Sequence, residues 1–228
     1  MDIDTSIKWF SHVAEEFHFG YKYKKDFIER YKIWTVVIAK YSDKNNIVLD
    51  IGCGSGIFSF YAAEYNLKVI GVDASSRMIN LCKAKLQENQ SISNLSFFNC
   101  DINQLNNLMK EEIDLIICSS VLEYVEDLNE TIEIMSGLLN NYGTLIFSMP
   151  NKLSLYRLIE LIAFKFVRLP IYYRYVRQII TLNKMTAKLK NYGFNVVEHV
   201  YYARTPLLSH IGLPKKYTDN LFLIVAQR

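Results

Sequence analysis

Residues 48–56 read Val-Leu-Asp-Ile-Gly-Cys-Gly-Ser-Gly, and this run constrains the fold more than any other part of the chain. Branched apolar residues around Asp50 read as a buried strand, and glycines then arrive at every second position, 52, 54 and 56. A strand ending in a tight glycine turn that opens a helix lets a ligand approach the backbone, because glycine has no Cβ and tolerates positive φ. Asp73 follows at the end of a second apolar run, Val69-Ile70-Gly71-Val72. An acidic residue about twenty positions past a glycine turn in a βαβ unit is placed to accept hydrogen bonds from ribose hydroxyls. Together these features predict a nucleoside-containing cofactor.

The spacing argues against a dinucleotide. In Gly-x-Gly-x-x-Gly the third glycine would fall on Ile57, and here it stands one position earlier. Asp50 ahead of the turn is unwelcome beside a pyrophosphate and suits a cationic ligand with a free amino group. S-adenosylmethionine carries a sulfonium and an α-ammonium and no phosphate. At this point the sequence resembles the class I S-adenosylmethionine-dependent methyltransferases, whose first motif is hydrophobic-hydrophobic-Asp-hydrophobic-Gly-x-Gly-x-Gly. The resemblance implies that Asp50, Gly52, Cys53, Gly54 and Gly56 build the cofactor turn. It implies that Asp73 holds the ribose and that Ala74 and Met78 pack on the adenine. Asn99-Cys100-Asp101-Ile102 fits the next motif, with Asp101 accepting from the adenine amino group and Ile102 covering the ring. Asp101 also reads as a plain turn or helix-cap carboxylate. Ser119, just past the fourth strand, joins the cofactor set.

At 228 residues the chain suits one α/β domain with a modest insertion. A net charge of +3 gives no field that argues for nucleic acid. The opening Met1-Asp2-Ile3-Asp4-Thr5 has no basic stretch before an apolar run, so no secretory leader is expected. Cys53, Cys82, Cys100 and Cys118 show no Cys-x-x-Cys spacing, which predicts reduced thiols, no metal site and a cytoplasmic protein.

The periodicity predicts a Rossmann-like α/β fold: a seven-stranded, mostly parallel sheet with helices on both faces. Residues 1–45 form a helical cap, 46–150 the cofactor-binding core, 151–180 a helical insertion after strand five, and 181–228 a final helix and strand pair. Strands are expected at about 47–51, 68–72, 95–99, 113–118, 143–149, 194–201 and 220–227. Helices are expected at about 56–65, 76–88, 128–139 and 182–192. Asn141-Tyr142-Gly143 reads as a turn before strand five, and Gly193 as a helix cap.

Cys118-Ser119-Ser120-Val121-Leu122-Glu123-Tyr124-Val125 follows the fourth strand. Many small-molecule relatives carry Leu-Glu-His there, and Tyr124 replaces the histidine. A free tyrosine has a pKa of about 10 and makes a poor base near neutrality, so Tyr124 is expected to orient or stack on substrate. Methyl transfer mainly needs nucleophile, methyl carbon and sulfur in line. A phenol, catechol or amine acceptor also needs a base. His12, His18, His199, His210 and Glu123 are available, with His12 and His18 preferred among the histidines because relatives fold the N-terminal cap over the cofactor.

Residues 152–177 hold six basic side chains against one acidic. At about 100° per residue, Arg157, Glu160, Lys165 and Arg168 share one arc of about 140° on an otherwise apolar helix. The run is too charged to span a bilayer. It fits a substrate lid or pocket wall, a helix packed on its own domain, or a peripheral contact with an anionic membrane. The insertion, the helix opened by Thr181-Leu182-x-x-Met185 and the closing Asp219-Asn220-Leu221-Phe222 strand also resemble in layout the ubiquinone-pathway O-methyltransferases, which act on prenylated catechols.

The expected function is methyl transfer from S-adenosyl-L-methionine to a small aromatic or lipophilic acceptor, on oxygen before nitrogen. A nucleic-acid methyltransferase would want Asn/Asp-Pro-Pro-aromatic after strand four, which Ser119-Ser120-Val121-Leu122 lacks. A noncatalytic scaffold would have no need of the glycines, Asp73 and Asp101.

Overall fold

Alternating strands and helices place every strand of the core between two apolar layers. The computed structural model describes residues 3–204 and 212–228. The strands are β1 (Ile47–Ile51), β2 (Lys68–Asp73), β3 (Leu95–Asn99), β4 (Ile113–Cys118), β5 (Leu139–Pro150), β6 (Asn195–Arg204) and β7 (Asp219–Gln227). They form one sheet in the order β3-β2-β1-β4-β5-β7-β6, and β7 runs antiparallel to both its neighbours. This is the expected Rossmann-like sheet of seven mostly parallel strands. Its order reverses between β1 and β4, the place where open α/β sheets leave a crevice at their strand ends.

Three helices precede the sheet: α1 (Ile3–His12), α2 (Ala14–Tyr23) and α3 (Lys25–Tyr41). α4 (Ile57–Ala62), α5 (Ser76–Glu88), α6 (Leu105–Leu108) and α7 (Leu128–Leu138) lie between core strands. The insertion holds α8 (Leu155–Val167) and a 3₁₀ turn at Ile171–Tyr175, followed by α9 (Leu182–Lys190). A single turn, α10 (Lys215–Thr218), precedes β7.

The apolar strand positions alternate between two cores, as a sheet covered on both faces requires. Leu49 and Ile51 of β1 pack with α6, α7 and α9 through Leu105, Ile132, Met135 and Met185. Val48 packs on the other face with α3, α4 and α5 through Trp34, Ile38, Phe58 and Ile79. Trp34 is fully buried, and its Nε1 donates to the Tyr202 hydroxyl at 3.2 Å. That bond fastens the N-terminal helices to β6.

The Asn141-Tyr142-Gly143 turn is corrected: these residues lie inside β5. Ile113 pairs with Leu139 and Leu115 with Thr144, so two steps along β4 match five along β5. The three extra residues bulge out, with the Tyr142 amide donating to Asn140 Oδ1 and the Tyr142 side chain in solvent. A bulge and a turn use the same residue types, and only the pairing partner separates them. α4 and α9 also end earlier than their patterns suggested. Gly193, at φ +82°, closes α9 as expected.

Truncating Trp34 to alanine is expected to cost about 3–5 kcal/mol of stability, because it opens a cavity and leaves Tyr202 without its buried donor. Urea unfolding of the two proteins measures the difference; a loss below about 1 kcal/mol would mean that the cap does not lean on this side chain.

Candidate active site

The glycine turn is held in place by backbone bonds and by Asp73. The Cys53 amide donates to the Val72 carbonyl at 2.9 Å, joining the ends of β1 and β2. The Gly54 amide donates to Asp73 Oδ2 at 2.9 Å, and the Ser75 amide to Asp73 Oδ1 at 2.8 Å. Burial raises the Asp73 pKa, and these two N–H groups oppose the rise. Gly52 has φ +66°, and a Cβ there would lie 2.2 Å from Val121 Cγ2. Only glycine fits that wall.

Two connected hollows meet over this turn, sharing Gly52, Asp73, Ala74, Val121 and Tyr124. The smaller, about 140 Å³, is lined by Asp73, Asp101, Glu126, Asp127 and Glu130 and by no lysine or arginine. Ile102 also lines it. Asp101 lines this hollow, and it caps the turn after β3 by accepting from the Asn103 amide at 3.0 Å. The larger hollow is about 630 Å³, within the range of pockets that hold drug-sized ligands. Trp9, Phe10, Phe17, Phe27, Tyr156 and Tyr172 supply its aromatic walls, and Met78 and Ser119 also face it.

Arg30 of α3 is the residue that sequence reasoning missed. Its Nη2 donates to Ser119 Oγ at 2.6 Å and to the Ser119 carbonyl at 2.9 Å, which sets a cation in the wall of the larger hollow. The signal was present: Arg30, Trp34 and Ile38 stand four residues apart, so the guanidinium shares the buried face of α3. Arg157, Glu160 and Tyr172 form a second unforeseen group. Arg157 Nη1 lies 2.6 Å from Glu160 Oε2 and donates to the Tyr172 hydroxyl at 3.1 Å, and that hydroxyl donates to Glu160. The insertion is thus a wall of the larger hollow, and its Arg157 and Glu160 face inward.

Glu123 is 4% exposed, and its Oε2 has no hydrogen-bond partner. Burial pushes its carboxyl up to about 7, against the pull of its own amide and of Arg30 and Arg157. It lines the larger hollow beside Tyr124, whose phenol burial raises well above its usual range. Tyr124 packs edge-on against Phe10 at 5.0 Å.

Other predicted positions are not brought to the hollows. Asp50 is 1% exposed in mid-β1 and accepts from the Ser59 hydroxyl, with its pKa pushed up to about 7 by burial. It supports the turn from beneath, because strand alternation points it at α4. Cys53 and Gly56 also lie outside the lining, Cys53 buried in the α3–α5 core and Gly56 capping α4. His12 is exposed at the end of α1 and His18 sits on α2; neither lines a hollow. Burial, with Lys85 and Lys22, lowers the His18 pKa, and its Nδ1 is buried without a hydrogen-bond partner. The preference for these two histidines is therefore corrected: Phe10 and Phe17 of the same two helices line the larger hollow, and the histidines stand on other sides of those helices. His199 lies in β6 against Tyr201, and His210 falls outside the described residues.

Comparison with known proteins agrees with this geometry. A family model described as a methyltransferase domain matches residues 42–209. The ubiquinone biosynthesis O-methyltransferase of Coxiella burnetii is 31% identical over 109 residues, 48% of this chain and 45% of that protein. The chain therefore spans less than half the length of that relative. The protein of the same description from Pseudomonas fluorescens is 26% identical over 178 residues, 77% of this chain and 76% of its own. Among solved structures, magnesium protoporphyrin IX methyltransferase from Synechocystis PCC 6803 with bound SAH has a TM-score of 0.68 at 21% identity, covering 90% of this chain and 86% of that one. At that identity the likeness speaks for the fold.

The two raised carboxyls make stability depend on pH. Between about 4.5 and about 7 the folded chain keeps protons on Asp50 and Glu123 that the unfolded chain has released. Their contribution is therefore full at low pH and is lost as pH rises through about 7. The thermal midpoint of Glu123→Gln, relative to the parent, should rise between pH 5.5 and pH 8.5; a pH-independent difference would show that Glu123 is not buried in its acid form.

Proposed function

The chain belongs to the methyltransferase domain family, with S-adenosyl-L-methionine as its cofactor, and we propose that it methylates an oxygen of a small aromatic or lipophilic acceptor. The observation that carries this reading is the union of an acidic hollow at the strand ends with a larger aromatic one, with Glu123, one carboxyl oxygen of which is buried without a hydrogen-bond partner, in the wall of the latter.

The cofactor fits the residues present. Asp73 and Asp101 are acceptors suited to a ribose diol and an adenine amine, with Ala74, Ile102 and Met78 as apolar cover. Five carboxylates without a lysine or arginine suit a cationic nucleoside and disfavour a phosphate. Gly52, where a Cβ would meet Val121 at 2.2 Å, keeps the turn packed against the wall that both hollows share. Arg30, fixed on Ser119, suits the cofactor's carboxylate. When bound, the cofactor supplies an activated methyl group on a positive sulfur.

The chain's own part is alignment, dryness and proton removal. The aromatic walls exclude water and hold a flat or lipophilic acceptor. Glu123, with a pKa of about 7, is ionised in a useful fraction near neutrality and is basic enough to take a proton from an acceptor hydroxyl. Tyr124, beside it in the wall, orients the acceptor. Arg157, Glu160 and Tyr172 bring a hydrogen-bonded group to the same hollow, suited to a polar substituent on an otherwise apolar acceptor. The acceptor is read as small because the larger hollow is about 630 Å³.

Calorimetry should show binding of S-adenosylhomocysteine and none of NAD; the reverse would end the assignment. Asp73→Ala is expected to weaken S-adenosylhomocysteine binding by about 1.5–3 kcal/mol, the range for a hydrogen bond to a charged group. Asp101→Asn should cost less, since an amide oxygen still accepts from an amine.

An acceptor screen with labelled cofactor then tests Glu123→Gln. It should lose most of kcat on phenolic acceptors, together with any rising limb of kcat/KM centred near pH 7, while keeping cofactor affinity. An unchanged profile would remove Glu123 as the base.

A further inference from the structure

α8 is built with its charged pair inward and its apolar side outward. Leu158, Ile159, Ile162 and Phe166 are 55%, 48%, 49% and 81% exposed, while Glu160 is 4% exposed and Arg157 faces the larger hollow. At about 100° per residue these four apolar positions share an arc of about 100°, on the far side of the helix from Glu160. Beyond the helix end Ile171 adds a further exposed apolar side chain, at 52%. So large a contiguous apolar face calls for a partner.

The charges around it identify which. Glu160 is the single acidic residue between 152 and 177, and it is turned inward. The exposed charges of the same stretch are cationic, among them Lys165, Arg168 and Arg174. α10 packs against α8 and adds exposed Lys215 and Lys216. A second copy docking by this face through a two-fold axis would set these cations against themselves. An anionic lipid surface has the opposite charge and an apolar interior beneath it. Among the described residues no helix is long and apolar enough to cross a membrane, so the contact is peripheral.

We propose that the outward face of α8 lies in the interface of an anionic lipid bilayer, its apolar side chains among the acyl boundary and its flanking cations at the headgroups. The contacting face is therefore the apolar side of the helix, and the Arg157–Glu160 side of the arc read from the sequence faces the protein. The inner side of the same helix lines the larger hollow through Tyr156, Arg157 and Glu160, so the docked face and the acceptor space share one wall. This surface is independent of the methyl-transfer reading, and failure of cofactor binding would leave it standing.

Cosedimentation with vesicles tests it, using phosphatidylcholine alone or mixed with phosphatidylglycerol. Binding to the mixed vesicles should exceed binding to the neutral ones by about tenfold or more at low salt, and the excess should vanish at high salt. The double variant Ile162→Glu, Phe166→Glu should lose the binding while keeping the parent's thermal midpoint and S-adenosylhomocysteine affinity, because both side chains project into solvent. Lys165→Glu should weaken binding by about fivefold or more. Absence of vesicle binding in the parent chain, or binding unchanged in the double variant, would overturn the proposal. So would a parent dimer, seen by sedimentation velocity, that the double variant dissociates while vesicles bind neither protein.

Discussion

One carboxylate holds the site together. Asp73 accepts from the Gly54 amide on one oxygen and from the Ser75 amide on the other, and so ties the end of β2 to the turn after β1 and to the start of α5. Each bond is a charged acceptor on a backbone donor, the stronger class of protein hydrogen bond. The same residue lines both hollows. The glycine turn and the hollow wall are thus tied through one side chain, and a change at Asp73 acts on both.

Burial without full pairing sets the site's electrostatics. Asp50 and Glu123 both rise to about 7 for the same reason, loss of water, yet their surroundings differ. Asp50 has the Ser59 hydroxyl and no route to the hollows, so its carboxyl supports the turn. Glu123 has a buried oxygen with no hydrogen-bond partner and lies in the wall of the larger hollow. Two arginines on the cavity wall, Arg30 and Arg157, draw its pKa down against burial, and a carboxyl balanced in this way is suited to exchanging a proton near neutral pH.

The insertion uses the same chain for two surfaces. Its inner side contributes a hydrogen-bonded trio to the larger hollow, and its outer side is apolar. In the 13 residues of α8, Arg157 and Glu160 are paired and turned inward, which leaves Lys165 as the one other charged residue of the helix.

The sequence alone determined the alternation of strands and helices, the glycine turn, and the acidic positions Asp73 and Asp101, because each depends on local pattern: period-two apolar runs, φ-permissive glycines and fixed spacings along one βαβ unit. β1, β3 and β4 fall on the residues that the pattern gave. The tertiary structure decided what local pattern cannot carry. Whether Asn141-Tyr142-Gly143 turns or bulges depends on the β4 partner, since the residue types serve both. Which of His12, His18 and Glu123 lines the larger hollow depends on how distant segments pack: Phe10 of α1 and Phe17 of α2 line it in place of the histidines, and the segment after β4 brings Glu123 into its wall. Arg30 reaches Ser119 across eighty-nine positions, a pairing made by packing α3 beside the strand ends. The orientation of α8 was undetermined for the same reason: an amphipathic pattern gives a helix two faces, and only the rest of the fold chooses which one turns in.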